Sequence, residues 1–286
     1  MEMSKDFAEN GFIKVSSFLS AAEVKSLRNK ILKMVDQENG DYSGRNYIGL
    51  SELPESTQIL SKIFSKKLGE TVNGVFEKPY VMPDFITQVS NTPSKLIAPH
   101  YDIQSYFRHN LSKQITKLKY AKIGIYLQAN SFSQAGGIWY VPKSHKMFIH
   151  KSWFHKLPRP IKSLIIKYAR IFATYRQVPL CAEAGDLLLF DGRLFHSSAP
   201  ETDQTKVRQK KIAIYFSLTG DLLNARSYAK TEMYKFGDEI LSDDKDNSQR
   251  INYVTSSGLT EISDLCTKFD VKFFALTSEY LMKIKN

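Results

Sequence analysis

Two short stretches carry side chains suited to holding a metal ion: Pro99-His100-Tyr101-Asp102 and, far downstream, Asp191-Gly192-Arg193-Leu194-Phe195-His196. Side chains alternate along extended backbone, so His100 and Asp102 project to the same side of one strand. A local imidazole and carboxylate answered by one remote imidazole is the ligand set of a 2-His-1-carboxylate site. Such a site fills three corners of an octahedron around iron(II) and leaves three open, which is oxygenase chemistry. Taken alone the His-x-Asp triplet is common, and a hydrogen-bonded pair at a strand edge is its simpler account.

The elements that must position these residues are legible around them. Gly136-Gly137-Ile138-Trp139-Tyr140-Val141-Pro142-Lys143-Ser144-His145 reads as a turn, an apolar strand and a Pro/Ser loop. Gly185-Asp186-Leu187-Leu188-Leu189-Phe190-Asp191 reads as a turn and a buried strand, after which a second turn delivers His196. Helices are expected near 20–38 and 56–70, short strands from about 80 to 142, a mostly helical insertion, strands again from about 178 to 219, and a mixed tail. Phe7 to Val15 reads as a strand leading into an amphipathic helix that Ser20 caps, with Glu23 in capping-box register. Many short strands with Gly and Pro turns predict a mainly β fold with packed helices (α+β) around a double-sheet jelly roll.

These blocks, in this order from about Phe7 to Leu218, resemble the phytanoyl-CoA dioxygenase family of iron(II)- and 2-oxoglutarate-dependent oxygenases. The resemblance implies a double-stranded β-helix, cupin-like in outline, with His100, Asp102 and His196 as catalytic metal ligands. It implies Fe(II) as the metal and 2-oxoglutarate as cosubstrate, which is converted to succinate and CO2 as a C–H bond is hydroxylated. Asp102 stands where a halogenase of this superfamily would leave room for chloride, so hydroxylation is expected; demethylation or desaturation would use the same residues.

The C5 carboxylate of 2-oxoglutarate calls for a cation deep in the barrel. The family places an arginine about a dozen residues past the distal histidine, and Arg208 lies twelve beyond His196. Lys211 opens the strand Lys211-Ile212-Ala213-Ile214-Tyr215-Phe216; if Ala213 faces inward, alternation puts Lys211 and Tyr215 inward and Arg208 outward unless a bulge intervenes. Arg208 is favoured on its chemistry. Ser198 matches a family position that adds a hydroxyl, and Gln88 is either a cosubstrate contact or a strand glutamine at the surface. Tyr126 and Asn130 are candidate pocket walls. His109, His145, His150 and His155 sit in no matching motif, the last three in a basic segment expected at the surface.

With 286 residues, 42% of them hydrophobic, the chain suffices for one decorated domain. The expected division is 1–286 as a single oxygenase domain, with helical and strand support over 1–78, a basic lid over 143–178 and a C-terminal extension over 220–286. Cys181 and Cys266 are too few for a disulfide framework, which predicts a reducing compartment. No apolar run reaches the length of a membrane span and no secretory pattern opens the chain, so a cytoplasmic location is expected, peripheral at the inner face of a membrane.

Charge is segregated. Nine cations and no Asp or Glu lie between Lys143 and Arg176, within a net charge of +11. That field attracts an anionic partner. Pro160 starts a helix with Ile161, Leu164, Ile165, Tyr168 and Phe172 on one apolar face, which either packs on the barrel or lies on an anionic membrane. The implied substrate is an anionic small molecule or a lipid-linked sugar, and no nucleic-acid partner is expected because no binding motif accompanies the charge. A noncatalytic jelly roll binding an anionic ligand or membrane is the alternative.

Overall fold

The structure is a computed structural model, and it describes residues 2–37, 47–49, 56–82, 84–90, 99–103, 119–130, 138–147, 149, 151–198, 211–229 and 258–274. Helix α1 (Glu2–Asn10) leads into β1 (Phe12–Val15), and α2 (Ala21–Gln37) precedes β2 (Tyr47–Gly49). Then come α3 (Ser56–Ile63), α4 (Lys66–Val75), β3 (Tyr80–Val81), β4 (Ile86–Ser90), β5 (Tyr120–Tyr126) and β6 (Ile138–Tyr140). Helices α5 (Ser152–His155) and α6 (Arg159–Arg176) are followed by β7 (Val178–Leu180), β8 (Leu187–Asp191), β9 (His196–Ser198) and β10 (Lys211–Thr219). Helix α7 (Gly258–Lys268) and β11 (Lys272–Phe273) close the described chain.

Local chemistry sets several boundaries. Ser20 and Glu23 form the expected capping box at α2, with Ser20 N donating to Glu23 Oε2 at 2.8 Å and Glu23 N to Ser20 Oγ at 3.3 Å. The helix expected over 56–70 is two helices, because Ser65 breaks the run and caps α4 through Leu68 N. Phe7 to Asn10 close α1 instead of opening a strand, and Gly11, at φ +80°, turns the chain into β1.

Among the described residues the strands form two sheets. In the larger, the order is β1-β8-β5-β10-β3-β11, with β4 pairing β10 and β2; in the smaller it is β7-β6-β9. Apart from the parallel β3–β11 pair, the ladders are antiparallel. Alternation divides each central strand between two cores. Leu187 and Leu189 of β8, with Ile212, Ile214, Phe216 and Leu218 of β10, face a layer built from Leu27, Ile31, Ile59 and Val72 of the helices. Leu188, Phe190 and Ala213 point the other way, into the barrel, against Ile138, Leu180 and Tyr126. This is a jelly roll with helices packed on its larger sheet.

Candidate metal centre

β8 ends at Asp191 in the larger sheet and β9 begins at His196 in the smaller one, so the turn between them carries the chain across the barrel mouth. The Asp191 carboxylate holds that turn, accepting from Arg193 N at 2.8 Å, Arg193 Nε at 2.9 Å and Arg193 Nη2 at 2.6 Å. Burial works against the Arg193 guanidinium, but its bonds to Asp191 more than offset this and hold its pKa above the usual arginine value. Gly192 is required sterically, since a Cβ there would lie 2.0 Å from the Tyr120 ring. The loop after β6 grips the next residue: Phe195 N donates to the buried Ser144 Oγ at 2.8 Å, and Val141 N donates to Phe195 O at 2.9 Å.

His196 and His100 exchange both backbone hydrogen bonds at 2.9 Å, which sets their rings side by side with centroids 4.4 Å apart. Asp102 then brings its Oδ1 to 3.8 Å from His100 Nε2 and 3.7 Å from His196 Nε2. One donor atom from each of the three lies within 4.8 Å of the others. His196 Nδ1 is 2.9 Å from Leu194 O; a carbonyl only accepts, so Nδ1 is the donor, and Nε2 is the ring nitrogen turned toward Asp102. Asp102 Oδ2 is buried and has no hydrogen-bond partner among the described residues. A buried carboxylate oxygen left without a hydrogen bond costs about 1–3 kcal/mol or more, and a cation bound by this carboxylate lowers that cost. The donor set therefore fits a divalent metal of the iron type.

A sequence profile for phytanoyl-CoA dioxygenase (PhyH) matches residues 7–208. The chain belongs to the phytanoyl-CoA dioxygenase family. No curated protein sequence gives a match. Among solved structures, this family member is similar to HygX from Streptomyces hygroscopicus with nickel and 2-oxoglutarate bound, at 16% identity over 77% of this chain and 87% of that one, with a TM-score of 0.57. It is also similar to EctD from S. alaskensis with 2-oxoglutarate and 5-hydroxyectoine, at 12% identity, 76% and 75% coverage and a TM-score of 0.53. A third is the epimerase SnoN in complex with Fe3+, alpha ketoglutarate and nogalamycin RO, at 15% identity, 76% and 82% coverage and a TM-score of 0.52. At these identities the likeness is one of fold. Family membership and the metal-competent triad make this chain a 2-oxoglutarate-dependent non-haem iron oxygenase.

The remaining sequence candidates are dispersed. Gln88 pairs with Ala213 across the β4–β10 ladder, so it shares the barrel-facing side, and alternation puts Lys211 and Tyr215 on that side of β10. Tyr126 is there too, its hydroxyl accepting from Tyr215 at 3.3 Å. Asn130 instead ties loops together, bridging Ala182 and accepting from Gln128 Nε2 at 3.1 Å. Ser198 lies in β9 opposite Ile138, with its side chain outside the described residues. Arg208, His109 and His150, and the His155 side chain, also lie outside them.

His145 departs from its expected surface position. It is buried, and burial pushes its pKa below the usual histidine value. Its Nε2 donates to Ala8 O at 3.1 Å and its ring lies against Gly11, where a Cβ would come within 2.4 Å of Nδ1. The sequence reading also missed an interior polar cluster. Asp84 accepts from Lys122 Nζ at 2.8 Å, Ser217 N at 2.7 Å and Tyr228 OH at 2.8 Å, and it also bonds Ser217 Oγ. Lys122 pairs with Phe190, whose ring centroid is 5.1 Å from that of His196. This second interior cation is thus already neutralised beside the centre.

Proposed function

We propose that this oxygenase hydroxylates a C–H bond of an anionic small molecule or lipid-linked sugar, with release of succinate and CO2. The observation that carries the reading is the convergence of His100 Nε2 and His196 Nε2 on Asp102 Oδ1, with one donor atom from each residue within 4.8 Å of the others. These three would hold iron(II), which together with 2-oxoglutarate supplies the oxidising chemistry when bound. The chain's own residues position the reactants. The Leu194 carbonyl fixes the His196 tautomer, Asp102 lowers the charge of the centre, and Phe190 and Tyr140 give it apolar walls.

Lys211 is the favoured partner for the 2-oxoglutarate C5 carboxylate, because alternation turns it inward with Ala213; Ser198 and Gln88 supply hydrogen bonds, and Arg208 is the competing anchor. The working division remains a single oxygenase domain over 1–286, with support over 1–78, a basic lid over 143–178 and an extension over 220–286. The enzyme acts in the cytoplasm and touches an anionic membrane peripherally through residues 143–176. No helix among the described residues is long and apolar enough to cross one.

His196→Ala abolishes iron-dependent succinate release from folded protein, and retained release excludes the metal assignment. Lys211→Ala raises the KM for 2-oxoglutarate more than Arg208→Ala does; the opposite ranking moves the anchor to Arg208.

A further inference from the structure

Helix α6 carries more apolar surface than the barrel covers. At roughly 100° per residue, Ile165, Ile166, Ala169 and Ala173 fall on one arc. These four pack on the cluster that holds Tyr101, Ile103 and Phe195, the chain neighbours of the metal-site residues. Ile161, Leu164, Tyr168, Ile171, Phe172 and Tyr175 fall on the neighbouring arc, roughly 100° wide. They stay exposed, Leu164 at 54%, Tyr168 at 63% and Tyr175 at 85%. Lys167 borders this stripe on one side and Arg176 on the other, with its guanidinium 4.4 Å from the Phe172 ring centroid. Trp153 of α5 is exposed as well.

We infer that this stripe is the face on which the enzyme rests against an anionic lipid bilayer. It makes specific the peripheral contact proposed above, and its test is independent of catalysis. An exposed row of Leu, Ile, Phe and Tyr edged by Lys and Arg has the two attractions an interfacial helix needs: apolar burial at the acyl boundary and charge attraction to anionic headgroups. Lys143 and Lys146 are engaged by Glu9, but from Lys151 to Arg176 the segment holds no carboxylate. A second copy docking through the same stripe would bring two such cationic edges together, which like-charge repulsion opposes. With its basic edge, α6 lies on a bilayer and does not span it.

Docking is connected to the site. Gln177, next after α6, donates to Ser197 Oγ at 2.8 Å and accepts from it at 3.1 Å, fastening the helix end to the strand that carries His196. The bilayer face is thus joined to the strand that carries His196, and the substrate class we infer narrows to a lipid-linked anion drawn from the membrane. That narrowing rests on the oxygenase reading; the docking does not.

The test is co-sedimentation of the full chain with vesicles of phosphatidylcholine containing 30% phosphatidylglycerol, against pure phosphatidylcholine. The protein binds the anionic vesicles and not the neutral ones. Lys167→Gln with Arg176→Gln lowers the partition coefficient about thirtyfold, at roughly 1 kcal/mol per cation. Leu164→Gln, Tyr168→Gln and Tyr175→Gln together, all at exposed positions, abolish binding at unchanged thermal stability. No sedimentation with anionic vesicles, binding insensitive to the stripe variant, or a stripe-dependent dimer that ignores vesicles each overturns the proposal. Iron(II) and 2-oxoglutarate binding by the unbound protein reads the oxygenase assignment separately.

Discussion

Removing one buried hydroxyl tests how tightly the metal-bearing strand is held. Ser144→Ala keeps the 3-10 turn over Ser144–Lys146, since Ser144 N still bonds Val141 O at 3.2 Å, and deletes only Oγ. Phe195 N, which donates to that oxygen at 2.8 Å, then has no acceptor in a place where Phe195 is fully buried. An orphaned buried donor costs about 1–3 kcal/mol, and the atom-sized void adds somewhat less than a buried methylene, so the expected loss is about 2 kcal/mol. Because Phe195 immediately precedes His196, the slackened strand should also weaken iron(II) binding, by about tenfold, the lower end of the effect of removing a metal site's supporting hydrogen bonds. Urea unfolding of the metal-free protein reads the first effect and anaerobic iron(II) titration the second. Stability within about 0.5 kcal/mol of wild type, with unchanged iron affinity, would refute the claim that this bond positions the centre.

Three other outcomes follow from the same structure. Lys122→Met leaves the Asp84 carboxylate without its cation; breaking a fully buried ion pair costs about 3–5 kcal/mol, reduced here to about 1–2 because both side chains are partly exposed and Asp84 keeps its Ser217 and Tyr228 donors, and adding Asp84→Asn should recover part of the loss in urea unfolding. Glu9 hydrogen-bonds Lys143 and Lys146, which lower its pKa from 4.5 to about 2, so its stabilising effect is complete above pH 4.5 and fades as pH falls toward 2. The stability gap between wild type and Glu9→Gln should close over that window, and a gap that persists at pH 2 contradicts the pairing. Burial raises the Cys266 thiol far above the usual cysteine pKa while Cys181 is exposed, so a thiol reagent should label one cysteine rapidly in native protein; two fast equivalents would be inconsistent with the fold.

The metal centre was legible in the sequence because its parts are local. Two ligands lie two residues apart, His100 in an isolated bridge to His196 and Asp102 in the turn after it where a single strand was expected, and the third ends a turn whose Asp191, Gly192 and Arg193 define their own geometry. What escaped depends on contacts between distant segments. Asp84, Lys122, Ser217 and Tyr228 meet only because β5 and β10 pair, and no spacing announces that. His145 stands between two lysines and reads as surface, yet the tight turn sends Lys143 and Lys146 out to Glu9 and the imidazole inward against Gly11. On α6, periodicity picked the large residues Ile161, Leu164, Ile165, Tyr168 and Phe172 as one face. Ile165 alone of these packs on the core; the helix docks through Ile166, Ala169 and Ala173 as well, because small alanines let its backbone approach the barrel closely.

The proposed site joins His100, Asp102 and His196 around one iron that also receives 2-oxoglutarate. Anaerobic titration of the protein with iron(II) and 2-oxoglutarate tests it most directly, through the weak visible metal-to-ligand charge-transfer band of a chelated keto acid. The expected result is a band that saturates at one equivalent and is lost in Asp102→Ala. Folded wild-type protein that gives no band, or an Asp102→Ala variant that keeps it, would contradict the assignment.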